Sequence, residues 1–85
     1  MDDEKRLIAL LNDQHRWPGT YQFKFIVKSE DADQLRDFFS QDEFLEKKSS
    51  AGNYLSITVI KYFQQAEEVM QVYQEVRKMK GVISL

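Results

Sequence analysis

From position 20 to 28 the chain alternates. Tyr21, Phe23, Phe25 and Val27 are separated by Gln22, Lys24, Ile26 and Lys28. That period-two pattern predicts a strand with its first set on a core and its second set facing outward. A second alternation runs over residues 54–61, where Leu55, Ile57 and Val59 interleave with Tyr54, Ser56, Thr58 and Ile60. Its β-branched content suits a central strand.

Elsewhere the period is helical. Residues 3–14 place Leu7, Leu10 and Leu11 on one stripe with Ile8 beside it, and Asp2, Asp3 and Glu4 suit the positive end of the helix dipole. Trp17-Pro18-Gly19 ends that helix and is expected to pin it to the rest of the chain. Ser29 is the expected N-cap of a second helix, with Glu30, Asp31 and Asp33 in its first turn. Leu35, Phe38 and Phe39 form its apolar stripe, and it should stop near Ser40. The longest helix is expected over residues 64–79, through Ala66, Val69, Met70, Tyr73 and Val76, with Phe63 and Met79 at its ends. Gly81 then provides a C-terminal cap, and Val82-Ile83-Ser84-Leu85 a short last strand.

Between the second helix and the second clear strand, Phe44-Leu45 followed by Glu46-Lys47-Lys48 reads as an edge strand, since charges on an edge discourage sheet-to-sheet pairing. Ala51-Gly52-Asn53 supplies turn chemistry, with Gly52 and Asn53 both tolerant of positive φ. Loops of two or three residues would put Phe44 on opposite faces, so the pattern alone does not set the register.

After the first helix the order is β-α-β-β-α-β, the ferredoxin-like pattern. Right-handed crossovers give an α+β sandwich: a four-stranded antiparallel sheet of order 4-1-3-2, two helices on one face, the other face open. Residues 1–16 are read as a helical extension and 17–85 as the domain proper.

The 85 residues are enough for one small domain with a single shared core and little spare surface for a deep pocket. Cysteine is absent, which removes disulfides and thiolate chemistry. No signal-like or membrane-spanning stretch stands out, so the expected location is the cytoplasm, away from membranes. Formal net charge is −2, a balance that argues against non-specific nucleic-acid binding.

Lys47-Lys48-Ser49-Ser50-Ala51-Gly52-Asn53-Tyr54-Leu55-Ser56-Ile57-Thr58 resembles the Lys-Pro-Ser-Ser-x-Gly-x-Tyr-x-Ser-Val-Thr signature of the YbeD-like proteins, small bacterial proteins of unknown function. Lys48 stands where that signature has proline. Trp17-Pro18-Gly19-Thr20-Tyr21-Gln22-Phe23-Lys24-Phe25-Ile26 is similar to the family's approach to its first strand, and Gly81-Val82-Ile83-Ser84-Leu85 to its last. The resemblance spans about residues 17–85. It implies a ferredoxin-like fold likened to ACT domains, which regulate metabolic enzymes by binding small molecules, and it implies no catalytic residues. Function by that route is fold analogy.

The expected site is a polar platform on the open sheet face. Lys24, Lys28, Tyr54, Ser56 and Thr58 lie on it by alternation, and Ser49 and Ser50 reach its rim. Lysines, hydroxyls and an aromatic edge suit an anionic metabolite or a partner protein; RNA or single-stranded DNA is the alternative. Against this stands an ordinary solvated face, or a homodimer surface using Ile26 and Ile60. Ser49-Ser50-Ala51-Gly52-Asn53 lacks the glycine spacing of a phosphate loop and reads better as a turn. His15, the sole histidine, lacks the partners for metal binding. Lys28-Ser29-Glu30-Asp31 is too acidic for the phosphate cradle of an acylphosphatase. An RNA-recognition motif needs aromatics on the open side of both central strands, and only Tyr54 qualifies. The expectation is therefore a non-enzymatic regulatory or interaction module, without cofactor or metal.

Overall fold

The computed structural model describes residues 3–85; the expectation for Asp2 lies outside them. Four strands, β1 (Gly19–Lys28), β2 (Phe44–Lys48), β3 (Tyr54–Phe63) and β4 (Val82–Ser84), form one antiparallel sheet in the order β2-β3-β1-β4. This is the expected order read from the opposite edge. Three helices, α1 (Asp3–Gln14), α2 (Ala32–Phe38) and α3 (Ala66–Arg77), complete an α+β architecture.

The two alternating segments are the central pair. They run antiparallel over ten residues each, from Gly19 opposite Phe63 to Lys28 opposite Tyr54. Phe23, Phe25 and Val27 from β1 and Leu55, Ile57 and Val59 from β3 are buried against Ala32, Leu35 and Phe39 from the α2 segment and Ala66, Val69 and Val76 from α3. Burial of apolar surface drives this packing, at about 25 cal/mol per Å2 removed from water. Phe23 is its hub. Its ring lies between 4.9 and 6.2 Å from those of Tyr21, Phe25, Phe39, Phe63 and Tyr73.

Several expectations are corrected. Leu11 is buried and Leu7 and Ile8 pack beside it, but Leu10 is exposed, because the docked face of α1 runs through Leu7, Ile8 and Leu11. Ser29 caps no helix. It opens a 3-10 turn, Ser29–Asp31, and its Oγ donates to the Gly52 carbonyl at 2.8 Å. The α2 helix ends at Phe38, with Phe39 as its C-cap, close to the expected stop near Ser40, but Phe38 is exposed with its ring edge-on to buried Phe39. The last helix spans Ala66–Arg77 instead of 64–79, because β3 continues through Tyr62 and Phe63. The Glu68 carboxylate accepts from the backbone N–H groups of Gln64 and Gln65, satisfying donors ahead of the first turn.

The hairpin register is now fixed. Phe44 opposes Val59, so its side chain belongs to the helix side, where it packs on the core. Ser49 N–H donates to the Tyr54 carbonyl at 2.9 Å, leaving a loop of four residues, 50–53, longer than either length expected. Gly52 supplies its positive φ of 77°, and Asn53 does not share it. Glu46 shares the helix side and is held by a two-pronged pair from Arg36, at 2.7 and 2.8 Å, which joins α2 to the edge strand. That guanidinium lowers the Glu46 carboxylate below its usual range.

The α1 helix sits beside α3. Gln74 Nε2 donates to Glu4 Oε1 at 2.6 Å, and Trp17 Nε1 donates to Asn12 Oδ1 at 2.9 Å. The indole thus holds the end of α1, as the sequence suggests.

Candidate functional site

The sheet has one covered and one open face, and strand pairing assigns every outward residue. Opposite residues of an antiparallel pair project on the same side. Lys24 therefore sits beside Thr58, Ile26 beside Ser56, and Lys28 beside Tyr54. On the β2 side, Leu45 flanks Thr58 and Lys47 flanks Ser56; on the β4 side, Ile83 flanks Ile26.

Five of the seven expected site residues, Lys24, Lys28, Tyr54, Ser56 and Thr58, share this face. Ser49 and Ser50 do not join the platform. Ser49 closes the turn, with its carbonyl accepting from Gly52 N–H and its Oγ from Tyr54 N–H, and Ser50 lies exposed in the loop. Their place in the signature is explained by turn geometry.

The sequence places Ile26 and Ile60 on the face but not Leu45, Tyr62 and Ile83, and so understates its apolar content. Leu45, Ile60, Tyr62 and Ile83 are 74, 54, 57 and 58% exposed. With Ile26 they make two apolar areas: Ile26 and Ile83 toward β4, Leu45 and Ile60 toward β2. Between them run Lys24, Ser56 and Thr58. A small depression of about 170 Å3 lies at Leu45, Thr58, Ile60, Glu43 and Phe44. Among the described residues, Lys24, Lys28 and Lys47 share this face with Glu43, and Glu30 lies at its corner, so the face is mildly basic in a chain whose net charge is −2. Leu45 and Lys47 were hidden by the unset hairpin register, Tyr62 by the underestimated length of β3, and Ile83 by a last strand too short to alternate.

At the corner of the face, β1 and the turn after β2 enclose a cleft of about 390 Å3 lined by Lys28, Ser29, Glu30, Gly52, Asn53 and Tyr54. Ser29 builds it: its N–H donates to the Asn53 carbonyl at 2.9 Å and its hydroxyl to Gly52. The Lys28 ammonium and Tyr54 hydroxyl can receive an anionic group there, while the Glu30 carboxylate in the same wall opposes one.

On the covered side, the Tyr21 and Tyr73 hydroxyls lie 2.9 Å apart, and burial together with this bond pushes the Tyr73 phenol well above its usual range. It is a packing contact next to Phe23, not part of the face. Among the described residues no cluster of three His, Cys, Asp or Glu side chains is placed to hold a metal ion, and no helix is long and apolar enough to cross a membrane.

A family model described as a protein of unknown function, DUF493, matches residues 12–85, which include all four strands, α2 and α3. No curated protein and no solved structure matches the chain.

Proposed function

The chain belongs to the DUF493 family of proteins of unknown function, the YbeD family, and we propose that it works as a non-enzymatic interaction module, ferredoxin-like and of the ACT-like regulatory type, docking a partner protein on its open sheet face. One observation carries this reading. Leu45, Ile60, Tyr62 and Ile83 are left exposed together on one face, interspersed with three lysines. Single exposed apolar side chains are ordinary, but a shared patch rimmed by polar groups marks an interaction site.

The excess of lysine favours a partner whose surface carries carboxylates around apolar side chains. It disfavours a face-to-face homodimer, which would bring lysine against lysine. A small anionic ligand in the Lys28–Tyr54 cleft is the second reading, weakened by Glu30. RNA or single-stranded DNA ranks below both, because the centre of the face is Lys24, Ile26, Ser56 and Thr58 and offers no aromatic platform for bases.

The test is native mass spectrometry of the protein purified from its own host, as wild type and as Leu45→Ser and Lys24→Ala. A bound protein in the wild type, reduced in both variants at unchanged stability, is the expected result. Full retention by both variants sinks the open-face reading. A shift of mixed single-stranded oligonucleotides that weakens steeply with salt would put nucleic acid first.

A further inference from the structure

The corner cleft is walled wholly by the end of β1, the 3-10 turn that follows it, and the turn between β2 and β3. Ser29 fastens these pieces together. Its N–H reaches the Asn53 carbonyl at 2.9 Å and its hydroxyl the Gly52 carbonyl at 2.8 Å. On the far side of the turn, Ser49 Oγ accepts from the Tyr54 N–H at 3.2 Å. The backbone around the cleft is thus tied at both ends, and its side chains project from a fixed frame.

Four residues of the wall, Lys28, Glu30, Asn53 and Tyr54, carry polar side chains that have no hydrogen-bond or ion-pair partner among the described residues. Elsewhere on the surface, unlike charges within reach do pair: Arg36 with Asp33 and Glu46, Lys61 with Asp42, Lys78 with Glu75. Lys28 and Glu30 are two positions apart and border one cleft, yet they form no ion pair. The backbone separates them. Lys28 projects on the open face opposite Tyr54, whereas Glu30 lies past the strand end in the 3-10 turn. The cleft therefore presents both signs of charge. A purely anionic guest meets Glu30, and a purely cationic one meets Lys28. A guest carrying both charges satisfies both.

We propose that this cleft binds a small zwitterion carrying one carboxylate and one ammonium. The carboxylate accepts from the Lys28 ammonium and the Tyr54 hydroxyl. The ammonium donates to the Glu30 carboxylate and the Asn53 side-chain carbonyl. Hydrogen bonds assisted by charge on either partner are the stronger ones. The volume of about 390 Å3 falls within the range of small-molecule sites. Lys28 and Glu30 are both exposed, so water screens them and the affinity is weak, with a Kd of roughly millimolar size. Glu30, which counts against an anionic ligand, is here the group that selects. The site does not depend on the open-face docking, since Lys24 and Leu45 lie outside its wall.

Amide chemical shifts of the full chain, followed by NMR during titration, test the site. The probes are glycine, β-alanine and 4-aminobutyrate, which differ in the spacing of their two charges, with acetate and methylammonium as single-charge controls. At least one zwitterion is expected to shift the Glu30, Asn53 and Tyr54 amides saturably, and to bind more tightly than either control. Glu30→Gln gives opposite signs for the two kinds of guest. It should weaken the zwitterion by roughly three- to tenfold and strengthen acetate, whereas Lys28→Gln should weaken both. Neither side chain is bonded to the fold, so both variants keep the wild-type spectrum away from the cleft. Lys24→Ala and Leu45→Ser should leave the titration unchanged, which keeps this result apart from the fate of the open-face reading. Acetate binding as tightly as every zwitterion, or zwitterion binding undiminished by Glu30→Gln, overturns the proposal. The absence of saturable shifts with all three zwitterions does so as well.

Discussion

Replacing Phe23 by leucine is the sharpest test of which sheet face is the core. The ring is fully buried and meets five other rings within 6.2 Å, three of them edge-on: Tyr21, Phe63 and Tyr73. Truncation to alanine would cost about 3–5 kcal/mol. A chain of this size has only roughly 4–13 kcal/mol in total on the per-residue scale, so the alanine variant risks unfolding outright. Leucine keeps most of the volume. Its repacking costs under ~1.5 kcal/mol, and the lost edge-on ring pairs add about 0.5–1.5 kcal/mol apiece where they are not replaced. The expected loss is about 2 kcal/mol, which lowers the melting midpoint by roughly 8–16 °C for a domain of this size. Urea unfolding followed by circular dichroism and Trp17 fluorescence measures it, with Ile60→Ala as the open-face control. That control should stay within about 0.5 kcal/mol of wild type. A control costing more than Phe23→Leu would mean that the two faces have been exchanged and would refute the packing argument.

Other consequences can be checked alongside. Gly52→Ala and Gly81→Ala both force a side chain into positive φ, at 77° and 73°, but only the second meets an obstacle, Asp31 Oδ2 at 3.0 Å. Each should cost roughly 1–2 kcal/mol in urea melts, with Gly81→Ala the larger loss. Tyr73 holds its proton more tightly folded than unfolded, through burial and its bond to Tyr21. The folded state thus binds more protons at high pH, and this contribution is full below about pH 10, the ordinary tyrosine value, and is lost as pH rises past it. Tyr73→Phe should flatten that alkaline loss in a pH series of thermal melts; an unchanged slope would refute the assignment. Glu68→Ala should destabilise the start of α3 by about 0.5–1 kcal/mol, read from urea midpoints.

The legible part of the fold was the part governed by one strong period. The alternation of Phe23, Phe25 and Val27 and of Leu55, Ile57 and Val59 set both central strands and their buried faces, and the element order then restricted the sheet to one topology. The errors fell where two patterns compete. Leu10 and Phe38 sit at helical spacing yet are exposed, because a short helix docks along a narrower stripe than its apolar residues define. Ser29 has the chemistry of a cap, but its hydroxyl is better used across the sheet corner, on a carbonyl 23 residues away in sequence. In the site, the polar members were legible because they lie on the long strands. Ile26 and Ile60 were legible for the same reason, but Leu45 and Lys47 were not, because a hairpin offset by one residue changes their face.

The distribution of charge follows from that register and bears on approach as well as docking. Lys24, Lys28 and Lys47 gather on the open face, while Asp33, Asp37, Glu67 and Glu75 lie on the helices. The open face is therefore more basic than a chain of net charge −2 is as a whole. On the proposed docking, such a face would orient an acidic partner toward the sheet before contact and disfavour a second copy arriving face-on. On that docking the lysines would act mainly on the rate of association, and the exposed Leu45, Ile60 and Ile83 on the lifetime of the complex. Lys24→Ala and Leu45→Ser should consequently weaken the same complex through different rate constants. The lysine change slows association in a salt-dependent way, and the leucine change speeds dissociation at any salt. Identical kinetic effects from the two would show that charge and apolar surface do not form one docking site.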